Sequence, residues 1–503
     1  MSHSNEPRRG GAGTRVLLVF LILVLIAGSA AMVYLCIDLV NKPSDAVHSG
    51  SDPLAGLTEP QDPVVTVPTE TEPPETTMPE PEHVVSTATV TATGDILLHT
   101  PIYLSSNAAC NTGNNTYNFD PIFKYITDHT TAADYMVGNL EVTLRGTEKP
   151  FGGYPYFNSP DDIVDACAKA GFDMLLTANN HSNDTGLKGI TRTLEVIREG
   201  GLDTLGTQLS AEEPKYVVKD LNGIQVGMVC YTYEISSNPD IVSLNGNPVA
   251  PEGKGMVNAF DYGDLDTFYG EVEQILADMK AEGAEASIIY LHWGTEYLTY
   301  ASDQQKAMAQ KLCDLGVDVI VGGHPHVIQP IELLTSAEDP GHKTVCLYSL
   351  GNAVSNQRLG NISYVNIANT EDGMLFNITF EKYSDGTVYL ANVDVVPVWV
   401  NMYSNAEQKR EYNMLPLVDS QRDSWMEMFQ IPEHTFNAAV RSYDRTMDIV
   451  GEGLAQCQEY LENQKLQRDA DYLDAVMNPG RARETVPAET AAPTVPETTE
   501  AAA

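Results

Sequence analysis

Residues 318–330 read DVIVGGHPHVIQP. The stretch is apolar up to its first glycine and then delivers two histidines on either side of a proline. A short apolar run closed by glycine reads as a buried strand. Gly322 and Gly323 permit close backbone approach, and Pro325 fixes a bend that lets His324 and His326 face one cavity. Four other apolar runs end in the same manner. TVTATGD ends at Asp95, YMVGNLE at Glu141, MLLTANNH at Asn179, Asn180 and His181, and IIYLHW reaches His292. In an α/β sheet, ligands bind beyond the carboxyl ends of the strands. Imidazole suits Zn, Fe or Mn, carboxylate and amide oxygens suit Mn or Mg, and no thiolate is offered.

Each run alone has a plainer reading. A strand-end Asp serves turns and caps, His292 beside Trp293 reads as a core histidine, and NNH reads as turn chemistry. Their coincidence at five strand ends within one stretch of chain points to a metal site. Nearby, YPYFNSP (154–160) offers Tyr156, Phe157 and Asn158 either to a substrate groove or to the core. Trp293 reads as packing, Glu296 follows close by, and Asn352 closes another strand in YSLGN.

Around these runs, strands and helices alternate. Helices are expected from SPDDIVDACAKAG, with Ser159 or Asp161 near its cap, and over about 186–199, 263–282 and 302–315. YVVKDLNGIQVGMVCYTY reads as two strands joined at Asn222-Gly223, both of which tolerate the positive φ of a tight hairpin turn. After residue 345 the pattern is mostly strand, and 405–475 reads as helical. The fold class is therefore α/β, with two stacked sheets flanked by helices.

The chain has 503 residues, 69 acidic against 29 basic side chains and a formal net charge of −40. That balance argues against nucleic acid, whose binding is dominated by Lys and Arg on phosphates. Seven cysteines are scattered without a C-x-x-C pair, and several lie in apolar runs, so they read as buried free thiols. Residues 16–37 carry no charge over 22 positions, enough to cross a hydrocarbon core. Arg8, Arg9 and Arg15 precede them, which places the N-terminus inside and the rest outside the cell. The alternative is a cleaved signal peptide with AGSAA as its cleavage site. The expected organisation is a cytoplasmic N-terminus (1–15), a transmembrane anchor (16–38) and a disordered Pro/Thr/Glu-rich spacer (39–85). The main domain follows (86–400), then a helical extension (401–478) and a disordered tail (479–503).

The ordered set GD (94–95), NLE (139–141), NNH (179–181), HWG (292–294), GHPH (323–326) and YSLGN (348–352) resembles the CapA family. These are bacterial capsule-synthesis proteins associated with poly-γ-glutamate, similar in their domain to calcineurin-like metallophosphoesterases. The resemblance covers about residues 86–400. It implies a four-layer αββα sandwich with two divalent ions (Mn, Zn, Fe or Mg) at one rim. By the same resemblance Asp95 would bind one metal and Glu141 would bridge both. Asn180, His292 and His324 would complete the second, His326 would return to the first, and His181 would act as general acid or phosphate-stabilising donor. Asn139, Asn179, Asn352 and His99 are candidates for supporting or substrate roles. The superfamily usually opens with Asp-x-His, whereas GDILLH puts Leu97 at that position and His99 two residues on, and the bridging acid is Glu in place of Asp. The first metal then has Asp95, Glu141 and His326 unless His99 swings in. Two functions follow: metal-assisted phosphoester hydrolysis, or a non-catalytic accessory that holds an anionic polymer. The implied partners are the cell membrane, through 16–38, other envelope polymer synthesis proteins and the polymer.

Overall fold

The computed structural model describes residues 82–477 apart from 237, 239, 240 and 362–366. The expected anchor, the N-terminal segment, nearly all of the spacer and the tail lie outside the described residues. Among the described residues, no helix is long and apolar enough to cross a membrane.

Two sheets form an α/β sandwich. The first runs in the order Arg410–Pro416, Val388–Ser404, Asp372–Tyr383, Val84–Ile96, Tyr135–Leu140, Met174–Leu176, Asp203–Leu205, with Asn352–Val354 also paired to Val84–Ile96. From Val84–Ile96 to Asp203–Leu205 its strands are parallel. The second runs Ala259–Asp261, Ile224–Glu234, Ala286–His292, Val319–Gly323, Lys343–Leu347, Ile331–Thr335. It is parallel through its first five strands. The Tyr216–Leu221 strand pairs antiparallel with Ile224–Glu234 across Asn222 and Gly223, at φ 55° and 84°. This is the tight hairpin turn the sequence calls for.

Strand alternation decides the layers, because successive side chains point to opposite faces. Val90, Ala92 and Val137 of the first sheet share a core with Met228, Cys230, Ile288, Tyr290 and Val321 of the second. On the far side of the first sheet, Met136, Leu140 and Leu175 meet Ile163, Val164 and Cys167 of helix Asp162–Lys169. On the far side of the second, Val229, Ile289, Leu291 and Ile320 meet helices Leu265–Ala281 and Asp303–Asp314. Ser302 and Gln305 start the latter helix with a reciprocal capping box, satisfying two otherwise orphaned backbone donors. Asp161 stands at the cap of Asp162–Lys169 but makes no side-chain cap bond. Its carboxylate is taken by Arg192, at 2.6 and 2.8 Å. All six described cysteines are free and buried.

The segment after residue 400 differs from its helical expectation. The boundary at 400 falls inside Val388–Ser404, and Arg410–Pro416 is a further strand at the sheet edge. Helix then runs from Glu433 to Met477. This helix ties both sheets. Arg445 and Ser442 bond Asp372, Gln458 Nε2 donates to Val393 O, and Lys465 pairs with Glu381, all on the first sheet. Gly453 presses on the second, where a Cβ would stand 1.8 Å from Ile331 O.

Candidate metal centre

The parallel strands of both sheets end on one rim. Val84–Ile96, Tyr135–Leu140 and Met174–Leu176 bring Asp95, Glu141 and the Asn179–His181 turn from the first sheet. Ala286–His292 and Val319–Gly323 bring His292, His324 and His326 from the second. Gly322 is required there: a Cβ would lie 1.9 Å from Tyr348 O and 2.5 Å from the Trp293 indole nitrogen. His324 and His326 flank Pro325 at φ 95° and 55°, a backbone region that side chains larger than Gly enter at a cost. Asn352 holds the bend, its amide donating to His326 O at 3.2 Å and Thr370 O at 3.0 Å.

Two groups result, and Glu141 belongs to both. Glu141, His292 and His324 bring ligand atoms within 4.8 Å of one another, and so do Asp95, Glu141 and His326. All five residues are buried. Asn180 joins the first group, its Oδ1 2.9 Å from His292 Nε2, and its Nδ2 donates to Asn245 Oδ1 at 3.2 Å. His326 Nδ1 lies 3.1 Å from Asp95 Oδ2. Behind Asp95 stands a chain of amides. Asn139 Nδ2 donates to Asp95 Oδ1 at 2.7 Å, and Asn179 Nδ2 donates to Asn139 Oδ1 at 3.1 Å and Leu140 O at 2.9 Å.

The electrostatics fit a cation. Neither Glu141 oxygen has a hydrogen-bond partner, and His324 Nδ1 has none either. Burial first, then Asp95, Glu296 and Asp184, hold the Glu141 carboxyl well above the usual range. Burial and the neighbouring imidazoles push His292 and His324 well down, which keeps them neutral, the form that ligates. For His326 burial acts downward, but Asp95 beside it raises the value overall. A buried carboxylate without a donor is a costly group in any fold, and these two groups could hold a metal ion.

His181 sits beside the groups. Its Nδ1 is 2.8 Å from Asp184 Oδ2, and its ring meets Phe157 edge-on at 4.7 Å. Asp184 also accepts from the Phe157 backbone N–H at 2.7 Å. Sequence reading missed Asp184, although its spacing of three residues after His181 was a signal. It also missed Tyr233, whose ring lies 4.9 Å from His324. His99 stands outside both groups. Its Nδ1 is 3.3 Å from Leu97 O and 3.4 Å from Ser355 Oγ and Asn356 N, and its ring meets Phe157 edge-on. Burial, with His326 adding to it, lowers its pKa to about 3. Trp293 packs, donating to Tyr348 O at 3.0 Å. Phe157 and Asn158 are buried while Tyr156 is exposed.

A two-sheet α/β sandwich with carboxylate, amide and imidazole at its common rim defines the metallophosphoesterase-like class. Residues 89–357 match the family described as bacterial capsule synthesis protein PGA_cap, and the chain belongs to that family. It is 27% identical over 329 residues to the capsule biosynthesis protein CapA of Bacillus anthracis, covering 62% of this chain and 70% of that one. It is 28% identical over 280 residues to the PGA biosynthesis protein CapA of Bacillus subtilis (strain 168), covering 55% and 65%. To a probable polyglutamine synthesis accessory protein of Mycobacterium tuberculosis it is 27% identical over 209 residues, covering 40% and 52%.

Proposed function

We propose that this chain is a membrane-anchored, extracytoplasmic component of capsule or poly-γ-glutamate-type polymer synthesis, with a two-metal phosphoesterase site on a four-layer αββα domain. The observation that carries the catalytic reading is Glu141: a sealed carboxylate with both oxygens unpartnered, shared by two ligand groups. Asp95, Glu141 and His326 would hold one divalent ion, and Glu141, Asn180, His292 and His324 the other. Such a pair supplies Lewis-acid polarisation of a phosphoester and acidifies a water for attack on phosphorus. The protein's own part is proton delivery and positioning. Asp184 fixes the His181 ring through Nδ1, leaving Nε2 to give a proton to the oxygen that departs when the P–O bond breaks. Asn139 and Asn179 keep Asp95 oriented, and Asn352 keeps the histidine bend closed.

A non-catalytic accessory role is the second reading. Leu97, fully buried, stands where the superfamily has a histidine, so one metal position is short of a ligand. The proposed partners are the membrane through 16–38, other envelope polymer synthesis proteins and an anionic polymer, with no nucleic acid. The test is turnover of a phosphoester by the purified chain loaded in turn with Mn, Zn, Fe or Mg. His181→Ala is expected to keep its metal and lose about 10²-fold or more in rate; bound metal without turnover in the parent protein supports the accessory role. External protease on intact cells tests the anchor, and a protected domain would sink it.

A further inference from the structure

The same rim carries a pattern that catalysis does not use. Two loops and the end of the Ile224–Glu234 strand each lay an aromatic ring against a site histidine: Phe157 on His181, Tyr297 on His326 and Tyr233 on His324, at 4.7, 6.2 and 4.9 Å between ring centres. Within one to three residues, each segment turns a large apolar side chain outward. Tyr156 is 55% exposed, Ile235 56% and Tyr300 60%, with Tyr154 at 76% on the first loop. Three residues span at most about 11 Å of chain, so each of these side chains lies within that reach of a ring that touches a site histidine. Single exposed apolar residues need no explanation, but four of them on segments that adjoin one site point to a binding surface.

Two arginines on segments that touch these aromatic stretches are already engaged. Arg145 is paired with Glu148, and Arg358 is buried against Glu371. Glu296, exposed on the Tyr300 loop, adds negative charge, in a chain of net charge −40. A bare polyanion finds little here to hold it. An apolar tail does. Tyrosines with an apolar body and a polar tip are suited to the headgroup level of a bilayer, and the chain's own uncharged run at 16–37 is long enough to bring it there.

We propose that Tyr154, Tyr156, Ile235 and Tyr300 select a lipid-linked phosphate, gripping the alkyl chain beside the phosphoryl group while the centre takes the phosphate. This rests on the metal-centre reading above and names its substrate class. The test is calorimetric binding of octylphosphonate and methylphosphonate to the full chain in detergent, with and without Mn. The comparison is with Tyr156→Ser/Tyr300→Ser and, separately, Ile235→Ser. All three positions are exposed, so the variants are expected to melt like the parent, and partition into the shared detergent belt cancels between them. The parent should bind the octyl compound about tenfold or more tightly than the methyl one, equivalent to about 1.4 kcal/mol of apolar contact. The double variant should lose most of that preference with methylphosphonate affinity unchanged. No octyl preference in the parent, or a preference that survives in all variants, overturns the inference. An octyl preference without hydrolysis of octyl phosphate leaves the inference standing and removes the catalytic reading instead.

Discussion

Asp372 and Glu141 are both carboxylates sealed inside the sandwich, and the fold treats them oppositely. Asp372 accepts from Ser442 Oγ at 2.6 Å and from Arg445 at 2.6 and 2.8 Å. Glu141 accepts from nothing; its nearest cationic candidates are His292 Nε2 at 3.6 Å and His326 Nε2 at 3.8 Å. Both are pushed upward by burial, Asp372 to about 6 with Arg445 opposing, and Glu141 well above its usual range with other acids adding to the push. A buried acid supplied with a guanidinium from its own chain is a tie between elements. One that faces only imidazoles, with no donor of its own, is placed as a candidate ligand.

The largest expected effect is on the tie. Arg445→Met leaves Asp372 buried without its cation, which should cost about 3–5 kcal/mol at pH 8. The Asp372 pKa is raised from 3.8 to about 6, so its contribution to stability is full below about pH 4 and lost as pH rises through about 6. The penalty should therefore shrink as urea melts are repeated from pH 8 toward pH 5. A penalty independent of pH would mean that Asp372 is not what Arg445 serves.

Next comes the ligand. Glu141→Gln should stabilise the metal-free protein by about 1–3 kcal/mol near pH 8, because the carboxylate it removes has no donor. It should also abolish the rise in melting temperature that added Mn or Zn gives the parent. Loss of stability without metal would place Glu141 with Asp372 as a structural acid. Asn139→Ala probes one side only: metal affinity at the Asp95–His326 group should fall about 10–100-fold, as for other groups that orient a ligand. The group of His292 and His324 should be unchanged by titration calorimetry. His99→Ala should do least, leaving metal stoichiometry intact and costing about 1 kcal/mol of stability through its lost contact with Phe157. Loss of one metal equivalent would bring His99 into the centre.

The contrast also explains what could be read in the sequence. Asp95, Glu141, Asn180, His292, His324 and His326 all follow apolar runs, and strand-end position is a local property that spacing reveals. The bond from Asp372 to Arg445 spans 73 positions and leaves no periodic trace, so that tie was invisible. Arg410–Pro416 carries a strand signal inside a stretch whose wider pattern is helical. Tyr412 and Met414 enter one core cluster while Leu415 and Leu417 enter another, a period of two too short to stand out against the helical pattern of 405–475. His99 shows the opposite limit. Its nearness in sequence to Asp95 suggested a ligand, but the backbone turn after Leu97 aims its Nδ1 at Ser355 and Asn356.

The helix from Glu433 to Met477 also bears on the order in which the molecule is assembled. Its anchors, Asp372, Val393, Glu381 and Ile331, come from two sheets, so it docks only on a chain whose halves have already met. Until residues 433–465 leave the ribosome, the Ile331–Thr335 strand is an open seam with unpaired backbone on one side, ready to zip onto another copy. Gly453 is the clasp: any side chain there would hold the helix off Ile331 and leave that strand edge uncovered.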